Sequence, residues 1–168
     1  LVRKKLKWEH EPFDIPKEIL SEWRKIGEKG ALEEKKWDLI YDKKSSKIKD
    51  EISRIINNKF PEDFDKHFEK QKKKFFDLKP EIASRQSSAL VLEDLTKILP
   101  ELIGGSADLS GSNNTKTKYS TIISSSNFNG NYIHYGVREH GMAGIMNGLA
   151  LHGGIIPFGG TFLIFLDY

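Results

Sequence analysis

One acid, Glu139, stands among apolar neighbours in the stretch NYIHYGVREHGMAGIMNGLALHGG, residues 131–154. From Arg138 to Leu151, Met142, Ile145, Met146 and Leu149 recur with the period of one helical face. Glu139 opens that helix. Met142, Ala143 and Met146 follow it at i+3, i+4 and i+7, so the carboxylate shares the side expected to face a core or an interface. Two readings stand. The acid is either a first-turn residue favoured by the helix dipole or a proton-handling group, since perturbed acids cluster at functional sites. Gly141, Gly144 and Gly148 each cost a helix about 1 kcal/mol relative to alanine. Their grouping predicts a close approach there by another backbone or a flat ligand.

Other chemistries find less support. His134, His140 and His152 lack the HExxH order and have no carboxylate at ligand spacing, so no metal site is expected from them. No Gly-x-Ser-x-Gly elbow occurs, and the serines between 106 and 126 sit in polar turns, which argues against a serine hydrolase. The chain has no cysteine, which removes disulfides, thiol catalysis and cysteine-ligated metal. The run Lys70 to Lys74 (KQKKK) has the charge for nucleic acid, but Phe64, Phe68 and Phe75 have helical core spacing and acids interrupt the lysines. A solvated helix is the expectation there, with no nucleic-acid partner.

The elements that must position Glu139 follow from periodicity and punctuation. Trp8 to Pro16 reads as extended. A helix is expected from about Pro16 to Lys25, with Gly27 and Gly30 to stop it. A second begins near Ala31 and carries Trp37, Ile40, Tyr41, Ile48, Ile52, Ile55 and Ile56, with a break at Ser45 and Ser46; Pro61 opens a third. Ala83 to Leu99 is helical and Pro100 ends it. Leu102 to Gly105 reads as a buried strand feeding the loop SADLSGSNN. Such a loop, at the C-terminal end of a strand, is where open α/β sheets bind ligands. Residues 111–130 are rich in Ser, Thr, Asn and Lys and read as a surface excursion. Tyr132 to Val137 and Ile155 to Phe158 are the further strands, and Thr161 opens a last helix. Strand and helix alternate at βαβ spacing, so the fold class is α/β with a parallel sheet.

Composition divides the 168 residues near position 80. Residues 1–80 hold 22 of the 27 Lys and Arg against 17 of the 24 acids, a net of +5; residues 81–168 carry 5 and 7, a net of −2. Twelve of the fourteen glycines lie in the second part. Dense mixed charge without glycine suits solvated helices, and glycine-rich turns suit an α/β unit. No stretch approaches 18 apolar residues and nothing resembles a signal peptide, so the expectation is a cytoplasmic protein with no membrane partner. Leu1 is not an initiator and Tyr168 falls inside a helical pattern, which together predict an incomplete chain.

The strings ASRQSSALVLEDL, LPELIGGSADLSGSN, GNYIHYGVREHGMAGIMNGLALHGG and GGTFLIFLDY together resemble transketolase, specifically the first half of its pyrimidine-binding domain. Residues 1–80 resemble the helical segment joining the transketolase diphosphate-binding domain to this one, through Trp8, Pro12-Phe13 and Ile15-Pro16. Related thiamine diphosphate enzymes share the fold without this pairing of ADL and REHGM. The resemblance implies a thiamine diphosphate-binding fold, truncated here, with 1–80 as linker and 81–168 as the N-terminal part of the pyrimidine domain. It implies transfer of a two-carbon ketol unit between sugar phosphates in the pentose phosphate pathway by a homodimer. Dihydroxyacetone synthase, or a transketolase-like subunit without catalysis, are the alternatives.

By the same resemblance the Glu of REHGM, Glu139, is catalytic, bonding the aminopyrimidine nitrogen of the cofactor and favouring its imino tautomer. Phe162 and Phe165 of TFLxF, with Tyr168 one turn on, imply the aromatic pocket around the pyrimidine. Asp108 of ADL implies an acid beside the cofactor near the subunit interface. Arg85 of A-[ST]-R and Ser112 of ADLxxS imply the pair that holds the sugar phosphate, where a guanidinium fork suits phosphate. Gln86, Gly111 and Asp167 depart from the commoner Lys, Pro and Glu or Ser, without removing a named contact. The family binds the diphosphate and its Mg or Ca through a Gly-Asp-Gly segment that this chain does not contain, so the fragment alone is expected to be inactive.

Overall fold

The computed structural model describes residues 1–167. The chain divides into two compact units, Leu1–Lys49 and Asp50 onward. In the first, α1 (Val2–Lys5) precedes α2 (Lys17–Tyr41), a single helix of 25 residues. The stop expected at Gly27 and Gly30 does not occur. Their cost of about 1 kcal/mol each is spread over a long run of strong helix formers, and Lys25–Glu22 and Lys36–Glu33 pairs at 2.7 Å bracket both glycines. No residue of α2 is buried in this unit: Trp23 is 69% exposed and Trp37, stacked on Tyr41 at 4.6 Å, is 52% exposed. Residues 42–45 interrupt the helix before α3 (Ser46–Ile56), which straddles the division between the units.

The second unit contains α4 (Phe64–Leu78), α5 (Ser84–Ile98), β1 (Leu102–Ser106), α6 (Ser110–Asn113), β2 (Tyr132–His134), α7 (Glu139–His152), β3 (Ile156–Gly160) and a 3-10 turn, Leu163–Phe165. Pro61 begins a turn closed by Phe64 N–H to the Pro61 carbonyl, and α4 proper follows. Phe60, Phe64 and Phe68 stack in sequence at 4.3 and 6.2 Å. Gln71, the buried residue of α4, donates its amide to the Leu90 carbonyl (3.2 Å) and to Asp94 Oδ2 (2.6 Å), which ties α4 to α5. The helix α5 starts where Gln86 Oε1 accepts the Ala83 N–H at 2.9 Å, half of a capping box.

Arg54 is the electrostatic centre of this unit. Its Nη1 and Nη2 reach Glu101 Oε1 and Oε2 at 2.8 and 3.0 Å, a bidentate pair just before β1. Nε and Nη2 also donate to Glu51 at 2.9 and 2.7 Å, and Nη1 donates to the Lys59 carbonyl. The Arg54 and Glu101 side chains are 13% and 5% exposed.

The sheet has the order β2-β1-β3 with every pair parallel, as the βαβ spacing predicted. Gly104 pairs with Tyr132 and Phe158, and Ser106 with His134 and Gly160. The second strand is shorter than expected. It ends at His134 because Gly136, at φ +73, turns the chain toward α7. The small core joins Ala107, Tyr135 and Met142, with Ile133 and Met146 packed against it.

Candidate functional site

Three parallel strands present their C-terminal ends together. Asp108 follows β1 by two residues, Glu139 opens the helix after β2, and Phe162 follows β3 by two. In an open α/β sheet this edge is the one that receives ligands. Glu139 is half-buried in the first turn of α7 and makes no ion pair among the described residues. Arg138 turns away from it, donating Nη1 to the Tyr135 carbonyl at 2.9 Å. The carboxylate thus keeps its acceptors, close to the positive end of the helix. Of the face expected to carry it, Met142 is buried and Met146 half-buried, but Ala143 and Ile145 are exposed. The covered stripe of α7 is therefore narrower than the period implied, because one small core covers only one side.

The loop after β1 is held by a polar network. Ser106, fully buried, donates Oγ to the Gly160 carbonyl (3.2 Å) and accepts from Leu109 N–H (3.0 Å) and Asn113 Nδ2 (2.9 Å). Thr115 bonds Asn113 Oδ1 at 2.9 Å and the Tyr132 hydroxyl at 2.8 Å; that hydroxyl also lies 2.7 Å from Ser110 Oγ. Thr117 bonds Thr96 at 2.9 Å. Asn113, Thr115 and Thr117 are all buried, so the surface excursion expected over 111–130 is corrected for its first part. Their polarity hides their burial: each group satisfies another rather than water. Asp108, at φ +60, and Ser112, within α6, are exposed on this loop.

A cleft of about 730 Å3 opens between the start of α5 and the segment after β3, lined among others by Arg85, Ser88, Asn113, Thr115, Thr161 and Phe162. It brings Arg85 and Phe162 together but does not include Glu139, Asp108 or Ser112. Arg85 is exposed and has no ion pair among the described residues, leaving its guanidinium fork free. The helix expected from Thr161 is instead an extended Phe162 (φ −92, ψ 147) followed by the 3-10 turn, with Phe165 N–H on the Phe162 carbonyl at 2.9 Å. Phe162 and Phe165 thus stand on an extended residue and a single 3-10 turn rather than on a helix. Phe165 is half-buried, and Tyr168 lies outside the described residues. Glycine fits Gly159 because an added Cβ would come within 2.9 Å of Met142 Sδ and still closer to Met146 Sδ.

Sequence reasoning missed Tyr135. The residue is 4% exposed, its hydroxyl has no hydrogen-bond partner among the described residues, and burial pushes its pKa up. A buried hydroxyl without a partner costs about 1–3 kcal/mol. Tyr135→Phe is therefore expected to leave stability unchanged or raise it by about 1 kcal/mol, measured by urea denaturation followed by far-UV circular dichroism. A loss of stability would show that the hydroxyl has a partner.

Comparison with known proteins agrees with this architecture. Residues 80–168 match the family described as the transketolase pyrimidine binding domain, and residues 1–61 match the transketolase thiamine diphosphate binding domain. Transketolase 2 of Vibrio vulnificus is 45% identical over 172 aligned residues, covering 99% of this chain and 25% of the relative. The transketolase of Buchnera aphidicola is 46% identical over 171, covering 100% and 25%. A crystal structure of Pichia stipitis transketolase superposes with a TM-score of 0.75 at 32% identity over 98% of this chain and 25% of that one. An α/β unit of this topology, with a glycine-rich helix after its second strand, is a domain of the thiamine diphosphate-binding kind. The chain belongs to the transketolase family, and it spans about a quarter of the length of the relatives it matches.

Proposed function

We propose that this chain forms part of a transketolase, which moves a two-carbon ketol unit from a ketose phosphate to an aldose phosphate in the cytoplasm, within the pentose phosphate pathway. Residues 1–80 would be the helical linker segment from the end of its diphosphate-binding domain and 81–168 the first part of its pyrimidine-binding domain. The observation that carries the reading is Glu139. It opens α7 at the ligand-receiving edge of a parallel sheet, half-buried and without an ion-pair partner among the described residues. The residues present fit thiamine diphosphate on one side. They offer a carboxylate for a ring nitrogen and the aromatic side chains Phe162 and Phe165.

When bound, thiamine diphosphate supplies the carbanion-stabilising centre that ketol transfer requires. Glu139 would bond the pyrimidine nitrogen through its carboxylate and exchange a proton with it, so setting that ring's tautomer. Phe162 and Phe165 would give the ring an apolar surface, with Asp108 and, outside the described residues, Tyr168 as the further cofactor contacts. Arg85 would grip the substrate phosphate with its fork, and Ser112 would add a hydroxyl donor. On this reading Mg or Ca would be held by the Gly-Asp-Gly segment of the diphosphate-binding domain. A second subunit would cover the exposed side of α7, where Ile145 is 49% and Leu151 88% exposed.

The experiment is a chimera in which these 168 residues replace the corresponding quarter of the Vibrio vulnificus relative. Restored ketol transfer supports the reading. A folded, cofactor-binding chimera without transfer points to a non-catalytic subunit. In an active chimera Arg85→Ala should weaken phosphorylated donors by roughly 1.5–3 kcal/mol, the range for a charged hydrogen bond. Non-phosphorylated donors should change little, and equal losses for both would make Arg85 structural. The 168-residue chain by itself should self-associate, because Ile145, Leu151, Leu163, Ile164 and Leu166 are exposed. Sedimentation velocity showing a sharp monomer would contradict this.

A further inference from the structure

The ketol-transfer reading leaves the KQKKK run unused, and its geometry is uneven. On α4, Lys72 is paired with Glu69 at 2.6 Å and lies 4.7 Å over the Phe68 ring, so its charge is answered locally. Lys70 and Lys74, one turn apart, instead line a cleft of about 380 Å3 between α4 and α5, joined by Lys97 from α5. None of these three has an ion-pair partner among the described residues. The same cleft is walled by Phe64, Phe68, Leu95 and Ile98, with the Phe64 and Phe68 rings 7° from parallel. The one carboxylate lining it, Asp94, already accepts the Gln71 amide at 2.6 Å. His67 stands at the rim with Nε2 3.1 Å from Asp63.

We propose that this cleft binds a small organic polyanion with a planar apolar body, of the nucleoside polyphosphate class. Three ammonium groups against one occupied carboxylate leave an excess of two positive charges, which suits two or more phosphates rather than one. The parallel phenylalanine wall would be idle against an inorganic anion, while a neutral apolar ligand would leave the ammonium groups unanswered. A pocket of this size with an apolar lining and a few converging polar groups has the general form of a small-molecule site. A long nucleic-acid strand fits less well, because Asp65, Glu69 and Asp77 interrupt the basic surface of α4 outside the cleft. The cleft shares no lining residue with the one holding Arg85, so it stands apart from the proposed substrate site.

The test is isothermal titration of the chimeric enzyme, preloaded with thiamine diphosphate, at low salt with three probes: ATP, adenosine and inorganic tripolyphosphate. Three proteins are compared: the chimera, its Lys70→Ala/Lys74→Ala variant, and its Arg85→Ala variant. Alanine is a strong helix former, so the exposed double substitution keeps α4 intact, which circular dichroism checks. ATP should saturate one site and bind more tightly than either adenosine or tripolyphosphate. The lysine double variant should lose at least about tenfold in ATP affinity, or 1.4 kcal/mol, while Arg85→Ala should leave it unchanged. Absence of ATP binding would overturn the proposal. So would a loss confined to Arg85→Ala, which would move the phosphate to the other cleft, or tripolyphosphate binding as tightly as ATP, which would leave the aromatic wall without a role.

Discussion

Glu139→Gln in the chimeric enzyme is expected to cut turnover at least about a hundredfold, the low end for loss of a positioned acid or base, while weakening cofactor binding far less. The substitution keeps the length and one acceptor of the side chain but removes its titratable proton. The Arg138 guanidinium is occupied with the Tyr135 carbonyl and offers the variant no substitute charge. If Glu139 served only the helix dipole, Gln would cost a few tenths of a kcal/mol in stability and leave chemistry alone. Exchange of the acidic carbon-bound proton of the bound cofactor, followed by NMR after acid quench, separates these cases. Exchange at the normal rate in the Gln variant would remove Glu139 from the catalytic role and leave it a first-turn residue.

Arg54→Ala is expected to destabilise the second unit by about 3–5 kcal/mol, the usual result of stripping one partner from a buried pair. The loss is large because Glu101, at 5% exposure, would keep a charge with no partner. Replacing both residues with apolar ones, as in Arg54→Met with Glu101→Leu, should recover most of that loss. Urea denaturation read by circular dichroism gives both numbers, and a double variant no better than the single would refute the stranded charge as the cause. The cluster also has a pH signature. The Arg54 guanidinium holds the Glu51 carboxyl below its ordinary value of 4.5, so its contribution is complete above that value. It fades as pH falls through the lowered one. The Arg54 guanidinium itself is pushed upward by Glu51 and Glu101 and stays charged throughout. Arg54→Ala should therefore flatten part of the acid limb of the stability profile.

Much of this was legible where one local signal was strong. Glu139 opening α7, α5 over Ser84–Ile98 and the parallel sheet all follow from apolar period and glycine or proline punctuation. The failures have separate physical causes. Gly27 and Gly30 read as stops, yet two weak penalties lost to the surrounding helix formers. Asn113, Thr115 and Thr117 read as surface because polarity is a proxy for exposure, and here hydroxyls and an amide satisfy each other in the interior. Arg54 with Glu101 was invisible because the two lie 47 positions apart, and no short-range pattern encodes a pair at that separation. Placing Arg85 and Phe162 in one cleft needed the pairing of β1 with β3, which spacing alone does not give.

The three tryptophans of the sequence, Trp8, Trp23 and Trp37, all fall in the first compact unit. The second unit has tyrosine but no indole. Intrinsic tryptophan emission from this chain therefore originates within residues 1–49 only. With Trp23 and Trp37 mostly open to solvent, its colour should already be close to that of the denatured chain. None of the three indoles lies in the sheet, in the Arg54 cluster or at the edge that carries Glu139, so their emission is no direct measure of unfolding there. An indole placed at Phe158, half-buried in β3, would give the sheet a reporter of its own.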